Sequence, residues 1–567
     1  MVIAFPLFAT ELPTHVGPVV GPIYNSIGAP IPRQDHTRPA TWLKTIDDLK
    51  RQPFSGTVYF ELLKRFKLPT ATLAGPSFAS VNSATFHVDR AKEPSRLHPS
   101  VTALPSFLEH LNPASNTTNN FNQDVEPTTT AVTDQYGTVY TNLFWTEYGG
   151  LYGRPYGYYQ WSTDGVNFSS PPSQFALPTG FTDSFAFTGD PTIGVAMGDG
   201  TALPREYFAQ AGYHTTDPGS SGQSGIFIYA SSNGGRGWAG PVQAANSNDG
   251  NILLDQPNVA VSWSTTPPPG YPATNGIVYT AYTQFNLNNR PDTYIRIRRS
   301  RGGVMCIGRC EVVCPYGCLP SFDAEVDVVH GNVATPQTVI DNSGAVHVFY
   351  LNYGNVSNGR FAIEERVAPP VADLSTQNIA FTIGPRVIGW ETEMPGYQAA
   401  NGTVRSINTI RARHSPQTDR IEVVWSSAVN FSGTYYSQIY LNSGDSNGNW
   451  TYSEGTQLDY SPFRDQFQAG LDFDSSGNLL VSWFDTRFSP SNVQWRQVVR
   501  YITPSGGLVN STIGTTDVAH FDSQAPGGGF IGDYHDVWRW NGVWNNPWIG
   551  EPATGNFVSD LYFTWIR

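Results

Sequence analysis

The sequence predicts an all-β protein: a seven-bladed β-propeller, with a six-bladed ring as the alternative, behind an N-terminal, partly helical extension rich in proline and glycine. Three observations predict it. A strand opening marked by proline recurs at propeller-like spacing, and Asp-x-x-Gly turns leading into alternating strands accompany it. The composition agrees, since 14% charged and 13% aromatic residues, with 55 Gly and 43 Pro in 567 residues, suit many short strands joined by turns. A formal charge of −13 with no basic stripe argues against a nucleic-acid partner, whose phosphates need a basic groove.

Residues 1–121 form the extension. Thr41–Lys50 carries Leu43, Ile46 and Leu49 at helical spacing, and Tyr59–Phe66 reads as a second short helix. Ser83–Val88 reads as a strand that could close the propeller ring, and the polar run 112–122 as a linker. All five lysines (Lys44, Lys50, Lys64, Lys67 and Lys92) lie in this part, while everything later uses arginine alone. No run of 18 apolar residues occurs, so no membrane-spanning helix is expected. The start lacks the basic region of a signal peptide.

The propeller is expected over 122–567. Its openings are Glu126-Pro127, Asp190-Pro191, Asp255-Gln256-Pro257 and Thr335-Pro336, whose prolines follow one another at 64, 66 and 79 residues. Weaker members begin at Ser406, Asp465 and Gly532-Asp533, making seven. Asp134…Gly137, Asp341…Gly344 and Asp474…Gly477 are the turns, where an aspartate can bond its own backbone and glycine takes the positive φ that follows. The last unit is too short for four strands, so an N-terminal strand must complete it.

Between outer strands a second signature stands. Ser231-Ser-Asn233-Gly-Gly235-Arg-Gly-Trp238, Ser443-Gly-Asp445-Ser-Asn-Gly-Asn-Trp450 and Ser162-Thr-Asp164-Gly-Val-Asn-Phe168 follow Ser-x-Asp-x-Gly-x-x-Trp with small departures, and Arg299-Ser-Arg-Gly-Gly is a remnant. With Val481–Arg487 and Phe530–Tyr534, these motifs make residues 122–567 resemble the sialidase-like Asp-box (BNR-repeat) propellers. The resemblance implies that Asp164, Asn233 and Asp445 are structural. Sialidases of that family hold a carboxylate with three arginines and use a Tyr/Glu pair with an Asp acid/base. The Phe/Tyr-Arg-Ile-Pro motif that supplies their first arginine is replaced here by Val125-Glu126-Pro127, so efficient sialidase activity is not expected.

Loops entering the innermost strands of a propeller line one mouth of its channel. The candidates for catalysis are therefore Asp465, Asp485, Asp533 and Tyr534, and for substrate binding Arg405, Arg464, Arg487, Glu126, Asp190 and Asp255. Paired carboxylates could protonate a glycosidic oxygen and supply a nucleophile or base. The same ring could bind Ca2+, although no cofactor is required. The bland alternative is that these acids cap strand starts and that Asp485 pairs with Arg487. Aromatics at Gly149–Tyr159 and at Trp538, Trp540, Trp544 and Trp548 read either as sugar platforms or as inter-blade core. Cys306, Cys310, Cys314 and Cys318 favour two disulfides, adjacent or nested, over a four-thiolate metal site, which would place the chain in an oxidising compartment. The functional expectation is an extracellular or cell-surface propeller that binds a carbohydrate or glycoprotein and has the parts for glycoside hydrolysis. The alternative is a structural or adhesive surface protein that self-assembles through its N-terminal arm.

Overall fold

A computed structural model describes most of residues 123–566, the strand Phe107–Leu111 and two short paired strands at Ile23–Tyr24 and Pro30–Ile31. The expected helices at 41–50 and 59–66, the strand at 83–88, the run 112–122, Asp134 and the four cysteines lie outside the described residues.

The fold is a seven-bladed β-propeller. Blade 1 is Gln123–Thr133, Val139–Tyr148, Pro155–Ser162 and Ser173–Gln174, antiparallel and in chain order. Blades 2 to 6 repeat the plan, with innermost strands Ala186–Ala196, Ile252–Val261, Val333–Ile340, Ile410–Ser415 and Gln466–Phe473. Blade 7 has Trp538–Trp540 innermost, then Val543–Gly550 and Asp560–Ile566, and its outermost strand is Phe107–Leu111. The last and earliest parts of the propeller chain therefore share one sheet. Each innermost strand touches that of the next blade, and the seventh touches the first, so the ring is closed.

Burial follows from this stacking. Inner strands lie between neighbouring blades and are buried on both faces, as Leu479–Asp485 is throughout, so they read as continuous apolar runs. Outermost pieces such as Ser173–Gln174 face solvent. Aromatics fill the wedge between blades 1 and 2, where Phe175 stacks on Phe208 with ring centroids 4.0 Å apart and Trp238 meets Phe144 edge-on at 5.5 Å. Among the described residues no helix is long and apolar enough to cross a membrane.

Candidate functional site

The site begins with one backbone irregularity repeated around the channel. In five blades the innermost strand carries a bulge whose extra residue has positive φ: Glu126 (56°), Asp190 (58°), Gln256 (53°), Thr335 (55°) and Gln468 (51°). A bulge frees one N–H from the ladder, which suits proline, and proline follows in the first four while Ala469 follows in the fifth. The proline-marked repeat in the sequence is thus the trace of a bulge. Asp255 does not occupy the position that Asp190 occupies, because Gln256 takes it.

These residues link blade to blade. Oε2 of Glu126 accepts from the amide of Asp190 (3.1 Å) and from Thr146 Oγ1 (3.3 Å). Two blades on, Oε1 of Gln256 accepts from the amide of Thr335 (3.0 Å) and from Thr283 Oγ1 (3.0 Å). Gln468 Nε2 donates to the carbonyl of Gly532. Gly532 closes the ring against Glu126, where an added Cβ would stand 2.3 Å from the Glu126 nitrogen, so glycine is required.

Four acids converge within this ring: Glu126, Asp190, Asp255 and Asp533, all at most 1% exposed. Burial, then the nearby Asp533, pushes the Glu126 carboxyl up to about 8. Burial and then Glu126 and Asp255 raise Asp190 well above the usual carboxylate range, and the Asp255 carboxyl lies within hydrogen-bonding reach of it. Asp255 accepts from Tyr213 Oη at 2.7 Å and from the Gln256 amide at 3.0 Å. Tyr534 belongs to the same cluster, its phenol raised first by burial and then by Asp190, Asp533 and Glu126. Apart from such carboxyl–carboxyl approaches, Oε1 of Glu126, both oxygens of Asp190 and Oη of Tyr534 are buried with no hydrogen-bond partner. The Arg411 guanidinium lies over the Tyr534 ring, 4.7 Å from its centroid. A small cleft with about 10 Å3 of open space reaches Tyr534 and Arg411 and is lined also by Pro191, Gln256, Thr335 and Thr409; none of the four acids is among its lining residues.

The other candidates have framework partners. Asp465 accepts from the amides of Ser437 (2.7 Å) and Ala400 (2.8 Å) and from Asn492 Nδ2 (2.7 Å). Asp485 accepts from Gln466, Trp483 and the Arg487 backbone and pairs with Arg487 at 2.5 Å, while Arg487 also pairs with Asp459 at 2.5 Å. Arg464 donates to the neighbouring carbonyl of Phe463. Arg405 lies in the two-residue strand Val404–Arg405, paired with Gln398–Ala399 ahead of blade 5. The structure therefore brings together Glu126, Asp190, Asp255, Asp533 and Tyr534, and ties Asp465, Asp485 and Arg487 into the framework. Among the described residues no group of three or more His, Cys, Asp or Glu is arranged to hold a metal ion.

The aromatic groups near the end of the chain join blades. Trp544 and Trp548 are buried, Trp538 Nε1 donates to the carbonyl of Ala131 in blade 1, and Trp548 Nε1 donates to Thr564 Oγ1. In the turn after Ser162, Asp164 accepts from the Asn167 amide (2.7 Å) and Ser162 Oγ accepts from the Gly165 amide (2.8 Å). Asn233 and Asp445 make corresponding bonds, and Trp238 and Phe168 pack against the adjacent blades 1 and 7. Sequence reasoning missed Tyr213, Gln256, Arg411 and Gln468. Tyr213 and Arg411 sit inside ordinary-looking strands, whereas Gln256 was marked by the proline after it.

No protein-family model matches this chain, and no curated protein does. Solved structures similar to it include a Dyadobacter fermentans protein of unknown function (10% identity, 81% of this chain and 97% of that one, TM-score 0.40). The endosialidase of phage phi92 is similar at 11% identity over 82% of this chain and 69% of that one, TM-score 0.40. A GH93 α-L-arabinofuranosidase of Fusarium graminearum is similar at 11% identity over 69% and 96%, TM-score 0.37. Similarities of this size carry no chemistry from those proteins to this one.

Proposed function

We propose that this propeller binds a saccharide at its central cleft and hydrolyses a glycosidic bond there, with Asp190 as the proton donor. The observation that carries this reading is the Asp190 carboxyl. It is buried without an amide, hydroxyl or guanidinium donor, sits beside three more acids and a tyrosine, and directly precedes Pro191, which lines the small cleft. Burying such a group without compensation costs free energy, and a purely structural acid is instead supplied with donors, as Asp465 and Asp485 are. A carboxyl whose burial and acidic neighbours favour its protonated form suits protonation of a leaving oxygen, and the neighbouring Asp255 and Asp533 offer the second carboxylate. Tyr534 and Arg411 would contact the sugar on the side facing the cleft.

The substrate would be neutral. An anionic sugar needs convergent guanidinium groups, and among the described residues Arg411 is the guanidinium stacked at this cluster. The test is turnover on fluorogenic neutral glycosides and a sialoside, with Asp190→Asn beside the native protein. Neutral turnover is expected, reduced by about two orders of magnitude or more in the variant. Sialoside turnover above the neutral rates, or unchanged turnover in Asp190→Asn, would overturn the assignment.

A further inference from the structure

Outside the channel, an aromatic group stands on the surface at the joint of blades 5 and 6. Phe431 is its centre, with ring centroids 6.0 Å from Tyr436, 6.0 Å from Tyr460 and 5.6 Å from Phe463. Tyr460 is 65% exposed and Phe463 48%. Phe431 and Tyr436 flank the hairpin at Ser432-Gly433, and Tyr460 and Phe463 lie in the loop that runs from Thr456–Gln457 into Gln466–Phe473.

Three features separate this group from a chance exposure of rings. The first is strain: Phe463 has a φ of 62°, a conformation unfavourable for an aromatic side chain, costing on the order of 1–3 kcal/mol. The second is rigidity. Gln438 Nε2 donates to the carbonyls of Ser461 (3.2 Å) and Arg464 (2.7 Å), and Asp465 staples the same loop to the hairpin through the Ser437 amide. Asp459 at the loop's start is clamped by Arg487. The third is placement. In an antiparallel blade whose innermost strand starts at one face, the hairpin between the second and third strands returns to that face, as does the loop entering the next blade. The rings thus share the face at which the innermost strands start and on which the bulged residues lie near those starts.

We infer that Phe431, Tyr436, Tyr460 and Phe463 form a platform on which a polysaccharide chain stacks while part of it occupies the cleft. Sugar rings offer apolar C–H faces and hydroxyl rims, and the platform offers aromatic faces among the exposed, uncharged Asn430, Ser432 and Thr434. Its fixed geometry leaves little ordering to be lost on binding. The inference rests on the reading that the protein acts on saccharides, and it extends that reading to polymers rather than short glycosides. It also gives Asp465, Asp485 and Arg487 a role as supports of the platform.

The test is affinity electrophoresis of the full chain through gels containing arabinan, xylan or mixed-linkage β-glucan, together with turnover on short glycosides. Tyr460→Ala with Phe463→Ala is expected to weaken retention by the retarding polymer about tenfold or more, while turnover of short glycosides stays unchanged. Tyr460→Phe is expected to retain binding, since the ring and not the hydroxyl does the stacking. Retention equal to native in the double variant would overturn the platform and leave the cleft assignment standing. Loss of self-association or of a protein contact, with polymer retention unchanged, would also overturn it. Absence of retention by every polymer, with short glycosides still cleaved, would sink the platform alone, whereas absence of both would sink the cleft reading as well.

Discussion

Glu126 and Gln256 do the same structural work with different side chains. Each accepts from a threonine on its own second strand and from the backbone amide of the next blade's bulge residue. A neutral amide therefore suffices for the architecture, and the acid at 126 adds a titratable proton. Its folded pKa, about 8, is above the ordinary 4.5, so the associated stability is fully present below about 4.5 and is lost as pH rises through 8. Glu126→Gln is expected to match the native melting temperature at acid pH and to exceed it at pH 8 to 9, by thermal scans across that range. Equal profiles would show that the carboxyl is not held protonated. His347 illustrates the opposite chemistry with the same sign. Burial alone would lower its pKa, but hydrogen bonds to Asp341 and Glu365 (2.8 Å to Glu365) outweigh burial and raise it to about 9. That contribution is complete below about 6.5 and lost as pH rises through 9, so native stability should fall over this interval, and His347→Gln should start lower and stay flatter.

At the scale of the element, two sets of turns hold the hairpins: Asp341 and Asp474 sit between the innermost and second strands of blades 4 and 6, and the Ser-x-Asp/Asn turns join the two outer strands and meet adjacent blades. Asp341 and Asp474 each accept from two following amides at 2.8–2.9 Å, with Gly344 (φ 89°) and Gly477 (φ 77°) completing the turn. In the Ser231–Trp238 turn, Gly235 lies so close to Asn142 of blade 1 that a Cβ would stand 2.1 Å from its oxygen. The aromatic that follows is the larger contribution. Trp238→Ala, at a partly buried ring, is expected to cost about 2–3 kcal/mol in chemical denaturation, and Asp164→Ala about 1 kcal/mol. A smaller loss for Trp238 than for Asp164 would mean that backbone bonding, not inter-blade packing, secures these hairpins.

Over the whole molecule, the seventh blade is completed by a strand far from the rest of it in sequence. Phe107–Leu111 pairs with Asp560–Ile566 along its full length, from Phe107 opposite Ile566 to Leu111 opposite Tyr562. Without it, the edge of Asp560–Ile566 would present unpaired N–H and C=O groups, and edges of that kind promote aggregation. Removal of residues 1–111 is expected to lower the melting temperature and increase aggregation relative to removal of residues 1–100, as followed by thermal scans and light scattering. Identical behaviour of the two truncations would make the strand dispensable.

Local chemistry wrote much of this protein into its sequence. The bulge prolines, the Asp-x-x-Gly turns and the Ser-x-Asp/Asn turns depend on neighbours within a few residues, so their spacing disclosed the repeat, the blade number and the placement of Glu126, Asp190, Asp533 and Tyr534. What lies between blades was not legible. Asp255 differs from Gln256 by one step along the chain, and only the strand register decides which of them fills the bulge. Asp465, Asp485 and Arg487 have the composition of a catalytic group, and their hydrogen-bond and ion-pair partners turn them into framework. Tyr213, Arg411, and Phe431 with the three rings around it come from different strands and loops, with no common spacing to mark them. Contacts between residues far apart in the chain, such as Glu126 with Asp190, are set by how blades stack, and tertiary structure alone decides them.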